Sequence, residues 1–322
     1  AGAANRPAAG GYAARPEVRA FADALADEHG LPRDWLQRVL TSGRHSPRAE
    51  RLMTPSLTPP PRDWLRYRAN ALDESRLRDA ADWQLAHGAT LQRAHERFGV
   101  PGEVVLAIIG IETAFGRVMG SFRTLDVLLT LAFDYPRRAA FYRDELAHFL
   151  LLGHEGRIDV LRQTGSFAGA IGLPQFMPGS IRRHAVDFDG DGRIDLARSA
   201  ADAIGSVASF LAAHGWQRAE PLQFNAVANA AIAEQLGGGI VAAQRWADVA
   251  ALGVRIDGEL GPDSRVLLLD LPYRVAGESA VTYRIGTVNL SAILHYNRSY
   301  FYGAAVADFA AELLARGAAA PA

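Results

Sequence analysis

Apolar residues recur along most of the chain at the three-and-four spacing of a helix with one buried face. In PEVRAFADALADEHG, residues 16–30, Phe21 and Leu25 lie four apart and Gly30 supplies a stop. LPRDWLQRVLTSG, residues 31–43, repeats the pattern from Trp35 to Val39 and ends at Gly43. A proline-dense connector, TPSLTPPPRDW, precedes a long helical stretch over 73–99. Further helices are predicted in 101–116, 124–136, 137–153 and 201–216. From about Gln217 to Arg284 the helical period weakens, and RVLLLDLPY and SAVTYRIGTVN read as short strands with turn residues between them. Residues 290–317 return to helix. The expected fold is mainly α with a small β-containing insertion.

One helix poses a question. In VVLAIIGIETAFGR, residues 104–117, Val105, Ile108, Ile109 and Glu112 fall at i, i+3, i+4 and i+7 and share a face. Three of these side chains favour burial. The fourth is a carboxyl group drawn toward the core with them, which is costly unless it is paired, protonated or used.

Composition narrows the classes. The chain has 322 residues, enough for a large core, and a net charge of −1, so no basic excess points to nucleic acid or an acidic membrane surface. Basic residues cluster only locally, in YPRRAAFYR and SIRRHA. There are no cysteines, which excludes disulfides, thiolate metal sites and a cysteine nucleophile. No apolar run approaches the roughly 20 residues that span a bilayer. The Ala/Gly/Pro-rich start reads as a disordered leader over 1–16. A signal or lipid anchor upstream is left open by the sequence.

Three motifs carry chemistry. In DFDGDGRIDL, Asp187, Asp189 and Asp191 occupy positions 1, 3 and 5 of an EF-hand loop, with Gly192 at the sharp turn and Arg193 offering its carbonyl. Oxygen ligands point to calcium. Position 12 is Arg198 rather than the usual glutamate, and Asp202 is the candidate for a late ligand. In SFAGAIGLPQFMPGS, residues 166–180, small residues permit close approach of a backbone or a sugar. Ser166 and Gln175 offer neutral hydrogen-bonding groups there, and the segment reads as a helix–turn. In LHYNRSYFYG, residues 294–303, Tyr296, Tyr300 and Tyr302 with Asn297 form an aromatic-amide cluster of the kind that binds sugars. A tight helix crossing and a half-buried core face are the competing readings of these last two motifs.

Together, IETAFG, SFAGAIGLPQFMPGS, AVDFDGDGRIDL, AIGSVASFLAAHGW and YNRSYFY resemble the B-type lytic transglycosylases of bacterial cell walls, glycoside hydrolase family 103. The resemblance runs from about Tyr67 to the final helix. It implies a lysozyme-like α core with an additional helical domain and a small β domain. The expected division is a leader over 1–16, a helical domain over 17–80, a core over 81–216 and 285–316 that contains the loop 187–202, and an insertion over 217–284. The family's catalytic acid matches Glu112. Its substrate-binding serine, glutamine, tyrosines and asparagine match Ser166, Gln175, Tyr296, Tyr302 and Asn297, and a cleft tyrosine matches Tyr67. Its calcium loop matches Asp187, Asp189, Asp191, Arg193 and Asp202, and no organic cofactor is expected. Phe115 and Phe210 stand where tyrosines are expected, so Phe210 would line a sugar subsite without a hydroxyl.

The resemblance implies a periplasmic, monomeric enzyme that cleaves peptidoglycan non-hydrolytically to 1,6-anhydro ends, with Glu112 as acid and then base. Glycan strands are its implied partner. Other cell-wall enzymes as partners are left open. A hydrolytic muramidase would need a second, water-activating carboxylate. A non-catalytic calcium-binding wall module is the other alternative.

Overall fold

The computed structural model describes residues 11–319. In chain order the helices are α1 (Pro16–His29), α2 (Arg33–Thr41), α3 (Pro47–Met53), α4 (Trp64–Ala71), α5 (Glu74–Phe98), α6 (Gly102–Thr113), α7 (Thr124–Phe133), α8 (Ala139–His154), α9 (Pro178–His184), α10 (Ala200–Ala213), α11 (Ala230–Leu236), α12 (Trp246–Ala251), α13 (Val288–Tyr296) and α14 (Tyr300–Ala319). The strands are β1 (Phe122–Arg123), β2 (Thr164–Gly165), β3 (Gln223–Val227), β4 (Gln244–Arg245), β5 (Arg255–Ile256), β6 (Arg265–Val275) and β7 (Glu278–Gly286). The chain divides into two compact units, one of residues up to 59 with 116–203, the other of 60–115 with 204 onward. This division differs from the expected one. Residues 17–59 belong with α7 to α9, and the strand region belongs with α4, α6 and α14.

The first unit is built on α7 and α8. In α7 the stretch TLDVLLTLAF is buried almost throughout, so this helix is apolar on every side and lies inside the unit. Leu146, Phe149, Leu150 and Leu152 of α8 pack beside it. The buried Glu145 accepts the Gly179 N–H at the start of α9, at 2.7 Å, which satisfies one of that helix's orphan donors. Residues 1–10 of the expected leader lie outside the described residues. Residues 11–16 are not disordered: Tyr12 is 1% exposed, its hydroxyl bonds Thr130 and Asp134, and Arg15 pairs with Asp134 at 2.6 Å. A buried ring with a satisfied hydroxyl anchors that short stretch.

In the second unit α6 is the central helix. Every residue from Val104 to Gly110 is buried, and α5 and α14 pack against it. α5 kinks at His87, where φ is −121° and ψ 16°, next to Gly88 and with the imidazole edge-on to Trp83 at 4.9 Å. The five strands of the unit run in the order β4-β6-β7-β3-β5 and pair antiparallel. The two strands expected to be short are 11 and 9 residues long and form one hairpin. Its two-residue turn, Ala276-Gly277, has φ of 51° and 89°, the left-handed pair that matches strand twist. Pro272 is tolerated because β4 pairs only with residues 265 and 266, leaving the rest of that edge open. Val249, Val254, Val266, Leu268 and Ile285 make a small core beneath the sheet.

Asp308 of α14 ties these elements together. Its carboxylate, 11% exposed, accepts from Arg68 of α4 at 2.5 Å, from both terminal nitrogens of Arg284 of β7, and from Gln223 of β3 at 3.1 Å. Removing it leaves the Arg284 guanidinium, 12% exposed, without a counter-charge. Asp308→Ala is expected to lower unfolding stability by about 3–5 kcal/mol, read as a shift of the urea midpoint; a loss below 1 kcal/mol would show that the network contributes little.

Candidate active site and metal loop

The apolar surface of α6 carries Glu112 into its last turn. The helix then stops abruptly, with Ala114 at φ 48° and Phe115 at φ 58°, two non-glycine residues in the left-handed region. Such conformations are held only where the surroundings fix them, and they cluster at functional sites. Here the Phe115 ring is wedged against Trp83, 5.2 Å between centroids, and against Gly110, where a Cβ would sit 3.0 Å from two of its ring carbons.

Aromatic rings surround the carboxyl. The buried Tyr302 of α14 donates its hydroxyl proton to Glu112 Oε1 at 2.7 Å. Tyr296, at the end of α13, stacks on Tyr302 at 6.4 Å, and Phe210 of α10 meets Tyr296 edge-on at 4.7 Å. Tyr67 of α4 packs on Phe301 at 5.5 Å, and its phenol is raised by burial and by the Glu112 charge. Burial and that charge also raise the Tyr296 and Tyr302 phenols well above 10, so both remain protonated donors. Asn297, just past α13, is exposed. The structure therefore gathers Glu112, Tyr67, Tyr296, Tyr302 and Phe210, with Asn297 at the end of the same helix.

Glu112 is half-buried as a residue, but its carboxyl behaves as a desolvated group. Burial pushes its pKa from 4.5 up to about 7, and only the Tyr302 hydrogen bond draws it back. No second carboxylate among the described residues contributes to the shift. A raised carboxyl pKa means that the folded chain holds this proton more tightly than the unfolded chain. The stabilisation from protonation is complete below about 4.5 and is lost as the pH rises through about 7.

Ser166 and Gln175 lie in the first unit, on a segment with no helix before Pro178. The expected helix–turn is a run of turns because Gly169, Gly172 and Gln175 all have positive φ. At Gly172 a Cβ would lie 2.6 Å from the Leu196 carbonyl oxygen. Ser166 Oγ accepts the Ala168 and Ala170 N–H groups at 3.2 and 3.0 Å. Gln175 Nε2 donates to the Gly172 and Met119 carbonyls at 2.9 and 3.2 Å. Both side chains thus shape the segment that carries them.

Carboxylate oxygens of Asp187, Asp189 and Asp202 lie within 4.8 Å of one another. Asp187 accepts the Gly190 and Gly192 N–H groups, and the buried Asp202 accepts those of Phe188 and Asp195, so backbone amides aim these oxygens. Three acids at this separation repel unless a cation joins them, and an all-oxygen donor set suits calcium. Asp191 falls outside this cluster: it is exposed, and its carboxylate accepts the Arg193 N–H at 2.8 Å. Arg193 is exposed as well. The His214–His295 ring pair and the Asp308 network were not read from sequence, because their members are scores of residues apart with no spacing to join them.

Comparison with known proteins decides the family. The transglycosylase SLT domain model matches residues 13–311. The chain belongs to that family. It is 38% identical over 305 residues to membrane-bound lytic murein transglycosylase B of Escherichia coli K12, covering 92% of this chain and 82% of that protein. Its fold matches the catenated lytic transglycosylase SltB1 of Pseudomonas aeruginosa with a TM-score of 0.87 and 37% identity, over 95% and 99% of the two chains. The E. coli lytic transglycosylase Slt35 in complex with calcium matches with a TM-score of 0.82 and 37% identity, over 96% of each. The family accounts for the lysozyme-like, mainly α fold, and the protein is an enzyme of the lytic transglycosylase class.

Proposed function

We propose that this lytic transglycosylase cleaves the β-1,4 bond between N-acetylmuramic acid and N-acetylglucosamine in peptidoglycan strands, with Glu112 as the only acid and base. The observation that carries the reading is a carboxyl raised to about 7 beside three tyrosines, with no second carboxylate contributing to its shift. Protonated Glu112 gives its proton to the glycosidic oxygen as the C1–O bond breaks, and the sugar's own N-acetyl group stabilises the positive charge at C1. The ionised Glu112 then takes the proton of the muramic C6 hydroxyl as that oxygen bonds C1. The products are a 1,6-anhydro end and a free 4-hydroxyl, and no water is consumed. A hydrolytic muramidase would need a water-activating partner acid, and among the described residues no carboxylate contributes to the Glu112 shift.

Tyr67 and Tyr296 offer ring faces to sugars, backed by the buried Tyr302 and Phe210, and Asn297 offers an amide; in the first unit, Ser166 and Gln175 offer glycan contacts of their own. Asp187, Asp189 and Asp202 hold a structural calcium ion, whose chemistry is charge neutralisation of the loop. The location is the periplasm. The E. coli relative is described as membrane-bound, whereas no helix among the described residues is long and apolar enough to cross a membrane.

Two outcomes are expected. Glu112→Gln keeps the shape of the side chain and should lower release of 1,6-anhydromuropeptides from sacculi by about 10⁴-fold or more, with the fold intact by circular dichroism; release at near wild-type rate would refute the mechanism. Calcium at about 100 times its Kd should add about 2.7 kcal/mol of stability, seen as a higher Tm than in chelator. Asp187→Ala should abolish that increase, and equal melting curves of the wild type in chelator and calcium would refute the site.

A further inference from the structure

Tyr300, the third tyrosine of the aromatic-amide segment, is engaged with a loop. It opens α14, three residues after Asn297 and two before Tyr302. Its hydroxyl proton goes to the Gly239 carbonyl at 2.7 Å, and its oxygen accepts the Gly239 N–H at 3.0 Å. Ser291 of α13 makes a matching pair of bonds a little further along the same loop. Its hydroxyl donates to the Ile240 carbonyl at 2.6 Å and accepts the Ala242 N–H at 3.3 Å. Four backbone groups of the loop 239–242 are thus divided between two helices.

The loop sequence permits this approach. Gly237-Gly238-Gly239 precedes Ile240, and Gly237 and Gly239 have φ of 67° and 149°. Without side chains the backbone comes within hydrogen-bond reach of both helices. Gly239 is exposed, so water would satisfy its two groups if the phenol hydroxyl were absent, and the Tyr300 bonds add little to stability. Their effect is on geometry. α13 ends at Tyr296 and α14 begins at Tyr300, so residues 297–299 turn the chain between them. Asn297 leads this connector in extended backbone, φ −145° and ψ 122°; it is exposed, and its N–H bond to the Ile293 carbonyl is long, at 3.4 Å. An exposed amide on so short a connector takes its position from the helices on either side. Ser291 ties one of them to the loop and Tyr300 ties the other.

We propose that Tyr300 is a positioning residue for the reaction: it holds Gly239 at the start of α14 while Ser291 holds the same loop from α13, and the connector so fixed places the Asn297 amide against the reacting sugar. The proposal rests on the glycan-binding reading of Asn297 above. Tyr300 acts through Asn297 and makes no substrate contact of its own.

A double-mutant cycle on soluble peptidoglycan strands tests this. Tyr300→Phe keeps the ring and removes the hydroxyl, so the variant should fold with a Tm close to that of the wild type. Its kcat should fall about tenfold with a smaller change in KM, as expected when a reacting geometry is loosened. Its pH dependence should stay that of the wild type, because the Glu112–Tyr302 bond lies apart from the loop, on a tyrosine that is 2% exposed. Asn297→Ala should lower kcat at least as much. Adding Tyr300→Phe to Asn297→Ala should then cost no more than about a further twofold, since the group being positioned is gone. Losses that multiply in the double variant would overturn the proposal, because they would mean two separate contributions. So would a wild-type kcat per folded molecule in Tyr300→Phe, with or without a lower Tm, while Asn297→Ala is impaired. A wild-type kcat in Asn297→Ala would overturn the glycan-binding reading itself, and the positioning role with it.

Discussion

Glu112 can keep a proton near neutral pH only because α6 is buried on every side before its last turn and because phenols, not acids, surround the carboxyl. Water would solvate the carboxylate and return the pKa to its ordinary value. A second acid or a nearby guanidinium would also reset it, by charge. The site instead lets burial dominate and moderates it with one hydrogen bond from Tyr302, itself 2% exposed. A displacement from 4.5 to about 7 corresponds to ~3 kcal/mol of folding stability forgone when the group ionises.

That deficit has to be carried by the scaffold, and α14 is central to it. One part of the helix presents Tyr302 to Glu112. Another presents Asp308 to Arg68, Arg284 and Gln223, which joins α4 and the sheet to the helix that packs on α6. The small strand region therefore supports the site as well as extending the chain: its hairpin supplies Arg284, and the neighbouring β3 supplies Gln223. In the first unit, strain is held differently. Positive φ at Gly169, Gly172 and Gln175 bends a polar segment that Ser166 and Gln175 brace from within.

Much of this was legible in the sequence. The three-and-four spacing that put Glu112 with Val105, Ile108 and Ile109 anticipated its desolvation, because helix periodicity is local and burial follows from it. The 1-3-5 acids likewise announced the loop, since chain connectivity alone brings Asp187 and Asp189 together. What stayed hidden depended on non-local packing. Tyr12 looked like part of a leader because its partners, Thr130 and Asp134, are more than a hundred residues away. Residues 166–177 looked partly helical because composition does not report three positive φ angles. Asp202 completes the close trio of carboxylates with Asp187 and Asp189, a grouping that the loop's own spacing could not choose over Asp191.

The central claim concerns one proton, and the most direct measurement follows that proton. Titration of the Glu112 side-chain carboxyl carbon by carbon-13 NMR, with Glu112→Gln used to assign the signal, should give a midpoint near 7, and Tyr302→Phe should move the midpoint higher, because the lost hydrogen bond favours the ionised form. A midpoint near 4.5 in the wild-type protein would mean that the carboxyl is solvated at neutral pH, and an account built on its burial would be wrong.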